Sequence, residues 1–596
     1  MGRRTQNKDE RISMAPIIFA SAIIPLIVYM KRIKLDGILY STWNGANDIG
    51  EFFSYYKSIA VVVIASVALL ILVLDHKNLQ IRNIKKQLDF LPVVIYISLV
   101  IISTLFSEYV SVALYGYTER YEGALVLISY IVICFYTASY IKTEEQVRKI
   151  FIIIGISCTI IGIIGVTQYF GNDILQTTLG KKIILPKQYH QFAEDIKFSH
   201  DGNIISATLS NPNYVGSYSC MLLFITLGLF YYIKDTKRRI LTGAVFCGFA
   251  FVLWIGSMSR AGLVGGMIGF LFFIVLQGRN IISNWKYSVG VVIYFIFLYF
   301  TMNTFSGGRI VSEFNNINPI KENTRIEQSV NELYIKELKS EKDEVVIKTN
   351  NESLRIIYNN GKIEFFDEYN TPVDSIYENY TYSFNNDNYN KYKLKVVSDG
   401  EDYILHIGNH KIKLNYSDEG FHYVTVTGQK MKFGSAEKLS LLDGKEAFAS
   451  GRGFIWSRTV PMIKNTIIKG YGPDTYVIYF PQWDLAGKIN GLGNPATIVD
   501  KPHNWYMQMA VNTGLLSLIS VIIFILIYIY KALSVYIRSK NKNNCIIQSA
   551  IFSAVISYCI AGLFNDSVVS VAPVFWVILG AGIADNRILE KLNYKK

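Results

Sequence analysis

Cysteine is scarce: six in 596 residues, at Cys134, Cys158, Cys220, Cys247, Cys545 and Cys559. No two are spaced C-x-x-C, which argues against a thiolate metal or redox centre. The long stretch from Cys247 to Cys545 holds none, so any domain there folds without disulfides. Charge is also sparse, at 18% against about 25% in soluble chains. With 51% hydrophobic residues and a mean hydropathy of +0.27, this excludes a disordered chain and an ordinary soluble multidomain enzyme. Several signatures are missing. No Walker motif serves ATP hydrolysis, and no D-x-D cluster marks a metal-dependent sugar-nucleotide site. Of seven histidines, His406 and His410 are spaced to share one strand face, but with no acidic ligand at fixed distance they make a poor zinc site. The sequence therefore implies neither metal nor cofactor. Proline and alanine are low while Lys, Asn, Ile and Tyr are abundant, the composition of a bacterium with an AT-rich genome.

What the chain does have is long apolar runs. A spanning helix needs about 20 mostly apolar residues. The runs are 14–30, 58–74, 90–106, 123–141, 150–169, 213–233, 240–256, 261–277, 286–302, 505–530, 546–564 and 568–584. They predict a mainly α, polytopic membrane protein of about twelve helices. The first run follows Arg3, Arg4, Lys8 and Arg11, like a signal peptide. No small-x-small site follows Met30, and Lys31, Arg32 and Lys34 come directly after, so no cleavage is expected.

Basic residues set the orientation. With both termini cytoplasmic, the inner segments hold roughly 25 Lys and Arg and the short outer loops about 10. Lys31, Arg32 and Lys34 fall on the wrong side of this count. The asymmetry accounts for a net charge of +13, from 59 Lys and Arg against 46 Asp and Glu, without a nucleic-acid partner. The expected setting is the bacterial cytoplasmic membrane. Residues 1–302 form an N-terminal membrane region of about nine helices, 303–504 a large extracytoplasmic loop, and 505–596 a C-terminal region of about three helices.

Inside that loop, at about 330–435, short β-prone runs alternate with "NNGK", "SDGED", "GNHK" and "DEG". These are hairpin turn signals, and they predict roughly eight strands in a small antiparallel sandwich or barrel. This β-rich insert has mixed charge and no evident role.

Polar groups collect where the runs meet the expected outer face, in "YGYTERYEGAL", "ATLSNPNYVGSY", "GSMSRAGLVGG", "SGRGFIWSRTVPMIKNTIIKGYGPDTY" and "KPHNWYMQMAVNTGLLSL". Charge at the end of a span is a functional hint. Structural explanations stand beside it. Arg120 has Glu119 and Glu122 to pair with, or lipid phosphate to snorkel to. Asn211-Pro212-Asn213 suits a helix start. Arg452 and Arg458 fit solvated loop charges, and Tyr471 opens a Gly/Pro turn. Arg260 sits in a short turn with no acid nearby in sequence. His503 precedes an apolar run, where it neighbours a helix cap or acts as a base near neutral pH. The glycines of "GLVGGMIG" suit close helix packing.

In their order along the chain, "SNPNYVGSY", "SRAG", "GRGFIW…GYGPDTY" and "HNWYMQMAVNTGL" resemble the O-antigen ligase and O-antigen polymerase superfamily. The resemblance covers most of the chain except the β-rich insert. One departure is Ser517, where the family usually has Gly, Thr or Tyr. The resemblance implies transfer of a glycan from an undecaprenyl-diphosphate carrier to an acceptor hydroxyl of a glycan, lipid or protein. It implies His503, Arg260 and Arg452 as catalytic groups, with Arg120, Asn211, Asn213, Asn504, Arg458 and Tyr471 binding substrate. Arginine forks match a diphosphate leaving group, and a neutral histidine matches an acceptor proton. The alternatives are a polymerase of lipid-linked repeat units and a flippase of the same lipid. A flippase would carry charge buried mid-span.

Overall fold

A computed structural model describes residues 13–75, 88–196, 202–315, 333–398 and 401–594. Among these, ten helices are long and apolar enough to cross a membrane, and two shorter apolar ones, Ser13–Leu26 and Ala124–Tyr140, stand on the remaining runs. This is a multi-pass membrane protein. Rows of bare apolar side chains remain at the rim, such as Val289, Val292, Ile293, Ile296, Phe297 and Phe300 on Trp285–Phe305. In water such rows would be unsatisfied; against lipid they are the expected surface. At the centre, Pro212–Tyr232 is buried along most of its length. It lies so close to Arg260–Ser283 that a Cβ on Gly262 would stand 2.6 Å from the Gly216 Cα. The glycines of this helix do serve close packing.

One run is divided and the last is shifted relative to the expected spans. The run 505–530 is broken into Trp505–Asn512 and Leu515–Arg538. Gly514 adopts φ +105, open to glycine but strained for other residues. The break is pinned from outside: the Leu515 amide donates to the Thr466 carbonyl (2.8 Å) and the Gly472 amide to that of Asn512 (2.9 Å). The last helix starts late, at Ala572, and runs on to Tyr594.

Lys31–Lys34 (β1) pairs antiparallel with Asp48–Glu51 (β2), and Arg32 meets Asp48 at 2.7 Å.

Among the described residues the insert has eleven strands, more than the eight expected, because short strands add to the clear runs. Ile335–Glu341 (β3), Glu344–Thr349 (β4), Ser353–Asn359 (β5) and Lys362–Phe366 (β6) form one four-stranded sheet. Ile376–Glu378 (β7), Thr381–Ser383 (β8), Tyr392–Ser398 (β9), Asp402–Ile407 (β10), His410–Ser417 (β11), Gly420–Val424 (β12) and Lys430–Met431 (β13) form a seven-stranded one. Within each sheet, neighbours in sequence pair antiparallel. Three expected turns are two-residue hairpins: Asn360-Gly361, Gly408-Asn409 and Asp418-Glu419. The fourth, "SDGED", lies partly outside the described residues. The sheets close on a common core that includes Leu338, Ile347 and Ile356 from one and Leu394, Leu405 and Phe421 from the other. His406 and His410 lie on adjoining strands across the Gly408-Asn409 turn, not on one strand face. No cluster of metal-ligating side chains occurs among the described residues.

This β unit is fastened to the helical part of the same loop. Helix Leu485–Leu492 contributes Leu485, Ala486 and Ile489 to its core. Asn490 brackets the start of β3, accepting from the Ile335 amide and donating to its carbonyl.

Candidate active site

The polar segments of the sequence converge at one end of the helix bundle. His503 is a half-buried side chain whose Nδ1 lies 3.2 Å from Oδ2 of Asp566. Asp566 stands in the turn between the last two apolar helices and is buried. Its other oxygen accepts the Asn504 amide at 3.2 Å. Burial pushes the Asp566 carboxyl up, but the His503 ring and Lys501 outweigh it and hold the group below the usual carboxylate range. Asn504 caps helix Trp505–Asn512, accepting from the Met507 amide at 2.9 Å. Its side-chain amide donates to the Leu563 carbonyl at 2.8 Å. One asparagine thus ties the histidine loop to the turn that carries its carboxylate.

Lys501, two residues before His503, donates to the Tyr214 hydroxyl at 2.7 Å. Its ammonium also stands 3.7 Å from Asp500. Burial lowers this lysine, yet Tyr214, Asp500 and Asp566 together hold it above its ordinary value, so it stays charged. Asp500 is held below the usual range by Lys501, Arg120 and His503, against the push of lost water.

Arg120 does not pair with Glu119 or Glu122, as its sequence neighbourhood suggests. Its Nε donates to Asp474 at 2.6 Å and its Nη1 to Asp500 at 2.9 Å. Asp474 also accepts the Tyr117 and Glu122 amides. The guanidinium is 5% exposed and turned inward, cross-linking "GYGPDTY" to the segment that ends in His503. Tyr471 opens that motif, stacked on Tyr479 with ring centroids 4.1 Å apart, and its carbonyl accepts from Ser107 at 2.7 Å.

Arg260 is the first residue of its helix and is partly exposed. The acid absent from its sequence surroundings arrives from farther along: Glu313 stands 3.1 Å from its Nε. Ser259 caps the same helix and donates to Asn213 Oδ1 at 3.1 Å. The Asn213 carbonyl accepts from Asn565, the neighbour of Asp566, at 3.0 Å. Arg260 is thereby joined to the histidine's partner through two hydrogen bonds. Asn211 is the expected cap, accepting from the Asn213 amide at 2.9 Å.

Arg452 follows a left-handed stretch, Ala449, Ser450 and Gly451, and donates to the Ala449 carbonyl at 2.9 Å. One helical turn on, Trp456 Nε1 donates to the Pro502 carbonyl at 2.9 Å, so this helical face meets the His503 segment. Arg458 is occupied elsewhere. It is buried, 2.8 Å from Asp484 and 3.8 Å from Glu446. Asp484 caps helix Leu485–Leu492 and Glu446 accepts from Tyr334 just before β3, so this ion pair clasps the β unit.

Left-handed backbone at residues other than glycine and asparagine is uncommon and costs on the order of 1–3 kcal/mol each. Among the described residues it occurs at Glu119, Tyr121, Ala207, Ser210, Met258, Tyr380, Ala449, Ser450, Asp474 and His503. All but Tyr380 lie in the converging segments or, for Ala449, directly before one. Strain held in place by surrounding structure marks functional loops.

Residues 420–522 match the family model described as O-antigen ligase. The matched stretch runs from β12 into Leu515–Arg538 and contains Arg452, Arg458, Tyr471, Lys501, His503 and Asn504. No curated protein and no solved structure matches the chain. The O-antigen ligase match bears out the resemblance read from the motifs and supports a membrane enzyme of the ligase or polymerase type. Within the O-antigen ligase stretch, sequence reasoning passed over Lys501, Asp474 and Asp500; outside it, Asp566 and Lys57. The signal for Asp566 was present, since "FNDS" is an acid between two apolar runs. Lys57 enters through tertiary structure alone. It is fully buried in the first turn of Tyr55–Leu74, donating to the Thr208 carbonyl at 2.6 Å and Ser570 at 3.0 Å.

Proposed function

We propose that this protein transfers a glycan from undecaprenyl diphosphate to an acceptor hydroxyl at the outer face of the cytoplasmic membrane. The His503–Asp566 contact carries the reading. Asp566, held ionised, accepts the Nδ1 proton of His503 and fixes the tautomer, leaving Nε2 as the basic atom. Nε2 takes the proton of the acceptor hydroxyl as its oxygen bonds to the anomeric carbon. The bond from that carbon to the carrier phosphate breaks with its electron pair on the phosphate oxygen, and configuration inverts. Arg260 and Arg452 bind the diphosphate as planar forks and stabilise the charge that develops there. Lys501 supports the same charge from beside Tyr214. Asn504 orients the base, and Arg120 positions the segment 500–503 through Asp500. Asn211, Asn213 and Tyr471 line the approach for the donor.

The distribution of Lys and Arg supports an outer-face location with both termini inside. The β-rich insert then lies outside the cell membrane. A ligase and a polymerase share this chemistry and differ in acceptor. A flippase is the alternative reading: Lys57 lies in the first turn of its helix, but Asp585 is buried within the span Ala572–Leu592. Purified protein reconstituted with undecaprenyl-diphosphate-linked glycan and separate candidate acceptors tests the reading. A new glycosidic product with release of undecaprenyl diphosphate is expected. Movement of the intact lipid between leaflets without product would sink it.

A further inference from the structure

A cavity of about 200 Å³ lies where three parts of the chain meet. One wall is the segment from Ile38 to Trp43, the second is β12, β13 and the turn between them, and the third runs from Val477 to Ile498. Its lining combines flat rings, Trp43, Trp483 and Tyr423, with the polar groups of Gln429, Gln482 and Lys488. Trp43 Nε1 is buried with no hydrogen-bond acceptor. Lys488 is 3% exposed and lines the same space. Rings that offer an apolar face, edged by the Gln429 amide and the Lys488 ammonium, suit a ligand that is apolar on one side and hydroxylated at its rim. A pyranose has that form.

The cavity is wired to the candidate active site on two sides. Gln482 grips Val499, donating to its carbonyl at 2.8 Å and accepting its amide at 3.2 Å. Val499 leads directly into Asp500, Lys501 and His503. On the other side, Thr42, next to Trp43, bonds the Tyr117 hydroxyl at 2.9 Å, and the Tyr117 amide donates to Asp474 at 2.6 Å. The cavity and the Arg120–Asp474–Asp500 cluster thus share a wall.

We propose that this cavity is a saccharide subsite, holding sugar residues of the glycan chain away from the bond being made. The β-rich insert supplies one wall, which gives it a role in gripping the chain. The proposal deepens the transferase reading and rests on it for the identity of the glycan.

The test is equilibrium binding to the full-length protein in nanodiscs. The probe is the fluorescently labelled oligosaccharide pool released by mild acid from the producing cell's membranes. Saturable binding is expected. Trp483→Ala and Trp43→Ala should each weaken it about tenfold, through loss of the stacking ring. His503→Ala should leave it unchanged. No binding by wild-type protein would overturn the site, as would both tryptophan variants, shown folded by thermal melting, binding like wild type. Transfer is assayed separately. Binding that responds to the tryptophans without transfer to any acceptor would sink the transferase reading and leave the subsite standing.

Discussion

His503 and Asp566 meet at 3.2 Å, joining the loop that follows the β unit to the turn between the last two apolar helices. The pair explains why histidine stands where a loop enters the bundle. His503 carries a strained backbone, φ +51, and Asn504 bonds to the same turn as Asp566, so the ring is aimed by structure on both sides. As a base, His503→Ala should lower turnover by roughly 10²–10⁴ with folded yield and donor affinity nearly intact. Asp566→Asn should lower it about 10- to 100-fold through loss of tautomer control. Near-normal turnover by folded His503→Ala protein would exclude the base role.

The arginines separate into two kinds. Arg260→Lys and Arg452→Lys should cut activity per folded molecule about 10- to 100-fold with little change in melting temperature, because a point charge does not replace a fork. Arg458 is 5% exposed in its ion pair, so Arg458→Ala should instead cost about 3–5 kcal/mol of stability by stranding Asp484 and Glu446. Thermal melting measured beside activity separates the two effects, and a fully active Arg260→Lys would remove that residue from the diphosphate site.

Glu122 provides a pH test. Burial pushes its carboxyl up to about 7 from 4.5, with Asp474 and Asp566 adding, while hydrogen bonds from Tyr130 and Ser567 oppose the rise. Both bonds fall on Oε1; Oε2 is buried with no donor to stabilise a negative charge there. The folded state therefore holds a proton that the unfolded chain has released. This contribution is complete below about 4.5 and is lost as pH rises through about 7, up to about 3 kcal/mol. Glu122→Gln should flatten the melting temperature over that window and stabilise the protein at pH 8. An unchanged pH dependence would rule out this proton.

Orientation is open to direct labelling. Single cysteines at His410, on β11, and at Lys540, beyond helix Leu515–Arg538, should differ in intact cells. An impermeant thiol reagent should modify position 410 and leave 540 untouched; the reverse pattern would invert the topology.

The sequence by itself determined the twelve apolar runs, the β texture of the insert with three of its hairpin turns, and the helix starts at Asn211 and Asn504. Each is a local property: hydropathy over about 20 residues, a hairpin with a residue at φ above zero in or just after its turn, a side chain that reaches its own backbone. Tertiary structure alone decided who meets whom. Arg120 bypasses its sequence neighbours for Asp474 and Asp500, and Arg260 finds Glu313, because a charge leaving water takes the partner that packing delivers. Arg452 and Arg458, six residues apart, look alike as sequence, and burial against Asp484 distinguishes them. The break at Gly514 also escaped hydropathy, which sees an unbroken apolar run. The run divides because the strands of loop beside it, at Thr466 and Gly472, claim the backbone groups that a continuous helix would have used.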